Sequence, residues 1–147
     1  MYAANLLKKF TLALVIVLAL GSLAIAKVTI EGAAPAKAKE GAYEIKNFLN
    51  DAKNKKIVVI DVRTLGEYAM GHLPEATNVP IATSLEGELK NFHKDKTIVF
   101  MCAAGKRAGA AYYMIKDKRP EIADKVFFLD AAVQYLPGGN TVIKPNP

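Results

Sequence analysis

The stretch FMCAAGKRAGAA, residues 100 to 111, holds the only cysteine of the chain, Cys102, and an arginine, Arg107, in the spacing C-x4-R. Between them lie Ala103, Ala104, Gly105 and Lys106, and Ala108 follows. Small side chains let successive backbone N–H groups curl around an anion as a nest. Lys106 and Arg107 bring full positive charge to the same loop. Cations and amide dipoles stabilise thiolate over thiol, and thiolate is the nucleophilic form. The chemistry that fits is attack by a sulfur anion. A lone cysteine at a strand end is often only a small, inert core residue; strand, small-residue loop, arginine and helix together favour the reactive reading.

That loop needs a strand before it and a helix after it. TIVFM, Thr97 to Met101, reads as a buried strand, which leaves Cys102 at its carboxyl end, where ligands gather in open α/β sheets. Ala108, Ala111, Tyr112 and Ile115 share one side of a helix predicted from Ala108 to about Lys116. Its amino end points unpaired N–H groups and a partial positive charge back at Cys102.

The remaining elements alternate in the same way. Ile45, Phe48, Leu49 and Ala52 recur at helical spacing and predict a short helix from about Tyr43 to Asp51. KIVVIDV, residues 56–62, is a continuous apolar run of the kind buried on both faces of a parallel sheet. Thr64 with Glu67 forms a capping-box signature, so a helix should start there, carry Leu65 and Tyr68 inward, and close at Gly71 and Pro74. Thr83 with Glu86 gives a second box, opening a helix whose Leu85, Leu89 and Phe92 share a face. KVFFL, Lys125 to Leu129, supplies a further strand. The expected fold class is α/β, with a central, mainly parallel sheet flanked by helices and joined by right-handed crossovers.

The chain has 147 residues, 52% of them hydrophobic and 23% charged, enough for one domain with a real core and too few for two. Lys8 and Lys9 precede an uncharged run, residues 10–26, ending in Ala24-Ile25-Ala26, the layout of a secretory signal with an A-x-A cleavage site. Residues 1–26 are therefore expected to be a leader. The competing expectation is an uncleaved anchor through residues 10–26, since the run nearly reaches the roughly 20 residues that span a bilayer. Either way the domain is expected to work outside the cytoplasmic membrane, in the periplasm or an equivalent exported location. Residues 27–42, rich in Ala, Lys and Gly, read as a flexible tether or early edge segment in which Val28 and Ile30 could form a short strand. The domain proper is expected over residues 43–147.

A single cysteine forms no disulfide within its own chain, so an exported domain of this kind must be held by its core. The net charge is +6, and without Lys8 and Lys9 it falls to 18 basic against 14 acidic residues, or +4. The lysines are spread rather than clustered with aromatics, which argues against nucleic acid and for a preference for small anions. No His and Asp arrangement suits a Cys-His protease, and no spacing suits a metal.

C-x4-R between a strand and a helix resembles the active-site loop of the rhodanese family of sulfurtransferases. VVIDVRTLGEYAMGHLPEATNVP, Val58 to Pro80, resembles that family's amino-terminal signature, an Asp-x-Arg strand end leading through a helix to a Gly-His-x-Pro turn. The resemblance covers most of the chain from about Tyr43 to Leu136. It implies transfer of sulfane sulfur from a small anionic donor, thiosulfate or polysulfide, to cyanide or a thiol through a Cys102 persulfide, with no cofactor. Cys102 and Arg107 are then the catalytic pair, and Ala103, Ala104, Gly105, Lys106 and Ala108 the donor-binding loop. Arg107 has two readings, orienting an anionic donor or bracing the loop by bonding its carbonyls; Lys106 is expected to point outward.

Asp61, Arg63 and Glu67 are expected to form an ion-pair and hydrogen-bond network at the strand end, with Arg63 and Glu67 able to meet at i,i+4 spacing. His72 is expected to fix the turn beside Gly71 and Pro74 rather than move protons, and His93 to lie on the surface. The chain departs from the family where Ala108 replaces a usual Ser or Thr. It departs again where LDAAVQYLPGG, residues 129–139, replaces a Gly-Gly pair and a Trp, leaving Tyr135 as the available aromatic.

Three rivals remain at this level. A related phosphatase would need a loop one residue longer than Cys102 to Arg107 provides. A non-catalytic polysulfide or sulfide carrier, or a thiol-dependent partner-binding module, would use Cys102 with little turnover. A redox partner would form mixed disulfides through the same thiol.

Overall fold

The computed structural model describes residues 26–92 and 94–147. The leader or anchor expected in residues 1–26 lies outside the described residues up to residue 25, as does the surface reading of His93.

Four strands make a parallel sheet: β2 (Val58–Asp61), β3 (Ala76–Asn78), β4 (Ile98–Met101) and β5 (Val126–Phe128), in the order β3-β2-β4-β5. β2 and β4 are central and pair in register from Val58 with Ile98 to Asp61 with Met101. Their apolar runs are continuous because both faces are covered. Successive side chains alternate between faces: Ile60, Phe100 and Cys102 enter one core cluster, Val59, Val99 and Met101 the other. The first cluster is closed by helix α4 (Lys106–Lys118) through Ala108, Ala111, Tyr112 and Ile115, the predicted face. The second is closed by helix α1 (Ile45–Lys53) through Ile45, Phe48 and Ala52.

A second, three-stranded sheet stands beside the first, with order β1-β7-β6. β1 (Val28–Ile30) runs parallel to β7 (Thr141–Pro145), which pairs antiparallel with β6 (Ala131–Tyr135). Val28–Ile30 is the short edge strand that its alternation suggested, so the flexible-tether reading of residues 27–42 does not hold at its start. At its end Ala42 bridges to Phe128.

Two helices also differ from expectation, one in the face it buries and one in its cap. Helix α2 (Leu65–Met70) has its full capping box, the Thr64 hydroxyl accepting from the Glu67 N–H and the Glu67 carboxylate from the Thr64 N–H. Leu65, however, is 69% exposed, while Tyr68 is half-buried and packs against the second core cluster as expected. Its Oη also donates to the Ala76 carbonyl at 2.6 Å. The second box does not form. Helix α3 (Leu85–Glu88) starts after Ser84 with no side-chain cap, and the Thr83 N–H that the box would give to Glu86 goes to the Pro80 carbonyl, which also accepts from Ser84 and Leu85. Glu86 pairs with Lys118 instead.

Candidate active site

β2 and β4 end side by side, so their carboxyl ends deliver Arg63 and Cys102 to the same rim of the sheet. Immediately after Cys102 the chain turns through Ala103, Ala104 and Gly105 into α4. Gly105 is the N-cap in the left-handed conformation, φ +83°, which starts the helix at Lys106 rather than Ala108. Lys106, Arg107 and Ala108 are therefore its first three residues, whose N–H groups have no partner within the helix. The Ala108 N–H donates to Cys102 Sγ at 3.4 Å. A serine or threonine hydroxyl is not needed for that contact.

The loop carbonyls point their bonds elsewhere. Ala103 O accepts from the Val133 N–H at 2.9 Å, Ala104 O from Asn146 Nδ2 at 3.2 Å, and Gly105 O from the Gly109 N–H at 2.8 Å. With these acceptors engaged, the sulfur meets a helix amino end, where negative charge is favoured. Cys102 is 3% exposed. Ala103 is half-buried, Gly105 and Ala108 are buried, and Ala104 and Lys106 face solvent. An open groove of about 890 Å³ borders the loop along Ala104, Gly105 and Lys106; Cys102 is not part of its wall.

Arg107 braces the loop, but through a carboxylate of another helix and not through the loop's own carbonyls. Its Nη1 and Nη2 donate to Glu67 Oε2 and Oε1, each at 2.7 Å, a bidentate pair across 40 positions of sequence. Glu67 is held from its other side by the N–H and hydroxyl of Thr64. Arg107 thus braces the loop against α2 rather than bonding the loop's own carbonyls. The Arg107 guanidinium, joined by the Thr64 donors, holds the Glu67 carboxyl down at about 2. The same contact raises Arg107, with the sulfur of Cys102 and the carboxyl of Asp61 adding to it.

The upstream network forms as expected at Asp61 and Arg63, and differs only in how Arg63 meets Glu67. Arg63 does not meet the Glu67 carboxylate; it bonds the Glu67 carbonyl at 3.3 Å. Its main partner is Asp61, with Nη2 donating to Oδ2 at 2.7 Å, both side chains buried. Arg63 Nη2 also donates to the Gly71 carbonyl at 2.7 Å, so this arginine ties the strand end to the close of α2. Tyr135 supplies the aromatic surface, its ring 4.6 Å from the Arg63 guanidinium carbon. Burial pushes its phenol up to about 12. His72 stacks on Tyr68, with Nδ1 2.9 Å from the Tyr68 carbonyl, a turn-fixing role.

Sequence reasoning missed Asp130 and Asn146. Asp130 Oδ1 accepts from Asn146 Nδ2 at 2.7 Å, and Lys39 pairs with Asp130 at 2.9 Å. Nothing in their local sequence signalled a link to the loop. Among the described residues no cluster of His, Cys, Asp and Glu could hold a metal, and no helix is long and apolar enough to cross a membrane.

The family model for the rhodanese-like domain matches residues 42–141. The chain is 35% identical over 72 residues to the adenylyltransferase and sulfurtransferase UBA4 of Saccharomyces cerevisiae, covering 43% of this chain and 16% of that protein. It thus spans about a sixth of the length of that relative. The human single-domain sulfurtransferase TSTD1 superposes with a TM-score of 0.51 at 22% identity, over 61% of this chain and 88% of the other. The Saccharomyces cerevisiae single-domain sulfurtransferase RDL2 does so with a TM-score of 0.51 at 23% identity, over 67% and 88%.

Proposed function

The chain belongs to the rhodanese-like domain family, and from that premise we propose that it is a sulfurtransferase moving sulfane sulfur through a Cys102 persulfide. The Cys102 thiolate attacks the sulfane sulfur of a donor such as thiosulfate or polysulfide, the donor's S–S bond breaks, and the electron pair leaves with the remaining fragment. Cyanide or a thiol then removes the outer sulfur and returns the thiolate. The observation that carries this reading is the Ala108 N–H on Cys102 Sγ at the first turn of α4. A fixed amide dipole aimed at the site of negative charge needs no reorganisation during transfer. The expected exported location, resting on the sequence of residues 1–26, belongs to the same proposal.

Intact-protein mass spectrometry after incubation with polysulfide or thiosulfate tests it. One added sulfur is expected, removable by cyanide and absent in Cys102→Ser; no adduct with either donor sinks the proposal. Because Cys102 is nearly buried, the sulfur must also be shown to be reachable. Iodoacetamide should label it faster than an ordinary free thiol at neutral pH, and slow labelling counts against catalysis. The same near-burial favours one second reading, a sulfur carrier that loads Cys102 but turns over poorly. Persulfide that forms yet is discharged by cyanide only over hours identifies the carrier.

A further inference from the structure

Arg107 is the cation of the C-x4-R loop, and its charge is already taken. Both terminal nitrogens of its guanidinium are engaged by the two carboxylate oxygens of Glu67 at 2.7 Å. Glu67 cannot easily swing away, because Thr64 holds it from behind through its N–H at 3.1 Å and its hydroxyl at 3.0 Å. The second guanidinium at this rim is engaged as well, Arg63 on Asp61. Lys106, exposed to solvent, has no ion-pair partner among the described residues, and its charge is screened by salt. The neighbourhood of Cys102 is therefore close to neutral before any donor arrives.

We infer that Glu67 sets the charge class of the donor: the site takes an organic persulfide in preference to a compact dianion such as thiosulfate. This rests on the reading of Cys102 as a persulfide carrier. With an organic persulfide, the Cys102 thiolate attacks the terminal sulfur of the protonated form, R–S–SH, which is the electrophile. The new S–S bond forms as the donor's breaks, the electron pair leaves on RS⁻, and RS⁻ takes a proton from water. One negative charge is present throughout. With thiosulfate the same attack yields the Cys102 persulfide anion and sulfite dianion, so three negative charges must share the site. A guanidinium free of Glu67 would offset one of them; this one does not.

The test measures second-order rates of sulfur loading on the full chain by intact mass, with an uncharged alkyl persulfide and with thiosulfate. Glu67→Gln retains an acceptor for Thr64 and Arg107 while removing the charge, and it should raise the thiosulfate-to-persulfide rate ratio roughly tenfold. That gain should shrink in about 1 M salt, where the Debye length is ~3 Å; a merely structural change would not respond in this way. Lys106→Gln, at an exposed position that folding tolerates, should lower the ratio several-fold. A ratio unmoved in both variants, moved in the opposite sense, or raised without salt dependence overturns the inference. If neither donor loads the parent protein, the sulfur-transfer reading itself fails and the inference falls with it. Loading by both donors with an unmoved ratio removes only the role of Glu67.

Discussion

Asn146 reaches back 42 positions to hold the loop: its side-chain Nδ2 donates to the carbonyl of Ala104 at 3.2 Å and to Asp130 Oδ1 at 2.7 Å. Asp130 in turn pairs with Lys39, so three segments distant in sequence meet at the loop that follows Cys102. Asn146→Ala should cost about 1 kcal/mol in urea unfolding, the worth of an ordinary hydrogen bond. It should slow sulfur loading several-fold more than that loss of stability accounts for. Loading at the parental rate would show that the loop holds its shape without the latch.

Gly105 and Gly66 should respond oppositely to alanine. At Gly105 φ is +83°, and an added Cβ would lie 2.9 Å from Asn146 Nδ2 and 3.1 Å from Asp130 Oδ1. Gly105→Ala should destabilise by about 1–3 kcal/mol and slow loading. Gly66 lies inside α2 with nothing within 4 Å of an added Cβ. There alanine should stabilise by about 0.5–1 kcal/mol. Thermal or urea unfolding of the two variants decides both, and equal effects would contradict the contrast.

The Glu67–Arg107 pair should survive acid better than an ordinary surface pair. The Glu67 carboxyl is lowered from 4.5 to about 2 in the folded state, chiefly by Arg107. A depressed carboxyl contributes stability that is fully present above its unfolded value and is lost as pH falls through its folded value. The stability difference between parent and Glu67→Gln should be flat above pH 4.5 and shrink between there and pH 2. Urea unfolding across that range reads it; a difference that persists unchanged at pH 2 would contradict the assignment.

Arg63→Ala should be among the most damaging single changes. It leaves Asp61, fully buried, without its ion-pair partner, and it removes the bond from Nη2 to the Gly71 carbonyl. Breaking a buried pair from one side costs about 3–5 kcal/mol. Loss of less than about 1 kcal/mol in urea unfolding would mean that water reaches Asp61 freely.

Arg107→Ala should slow sulfur loading by a larger factor than it lowers stability, since Arg107 is half exposed and pairs at the surface, where ion pairs contribute about 1 kcal/mol or less. Arg107→Lys should restore stability better than rate, because an ammonium cannot reproduce the two-pronged contact with Glu67. Equal loading rates in Arg107→Ala and the parent would leave the arginine a purely structural role.

The elements carrying Cys102 were legible because their signals are local. A strand buried on both faces must be apolar throughout, as in Ile98–Met101, and a helix facing the core must repeat its small and apolar residues, as Ala108, Ala111, Tyr112 and Ile115 do. The β6–β7 pair was not legible. Ala131 and Ala132 carry little strand propensity, which antiparallel pairing with Thr141–Pro145 overrides; Pro137, Gly138 and Gly139 form the turn between the two strands. Leu65 misled because the short α2 turns only Tyr68 to the core and leaves Leu65 in solvent. In the Thr83 and Glu86 box, the Thr83 N–H goes to the Pro80 carbonyl and the Glu86 carboxylate to Lys118.

Sequence alone determined where the thiol stands, between an apolar strand and the amino end of a helix, since adjacency along the chain places a strand end, a loop and a helix start together. It also named Glu67 and Arg107, but each for a neighbour nearby in the chain. Only the tertiary structure decided that these two are partners. The β2 and β4 ends, brought level by parallel pairing, carry α2 and α4 within a salt-bridge length of each other. Charge compensation depends on distance in space, and no local pattern of residues encodes a distance between segments that far apart.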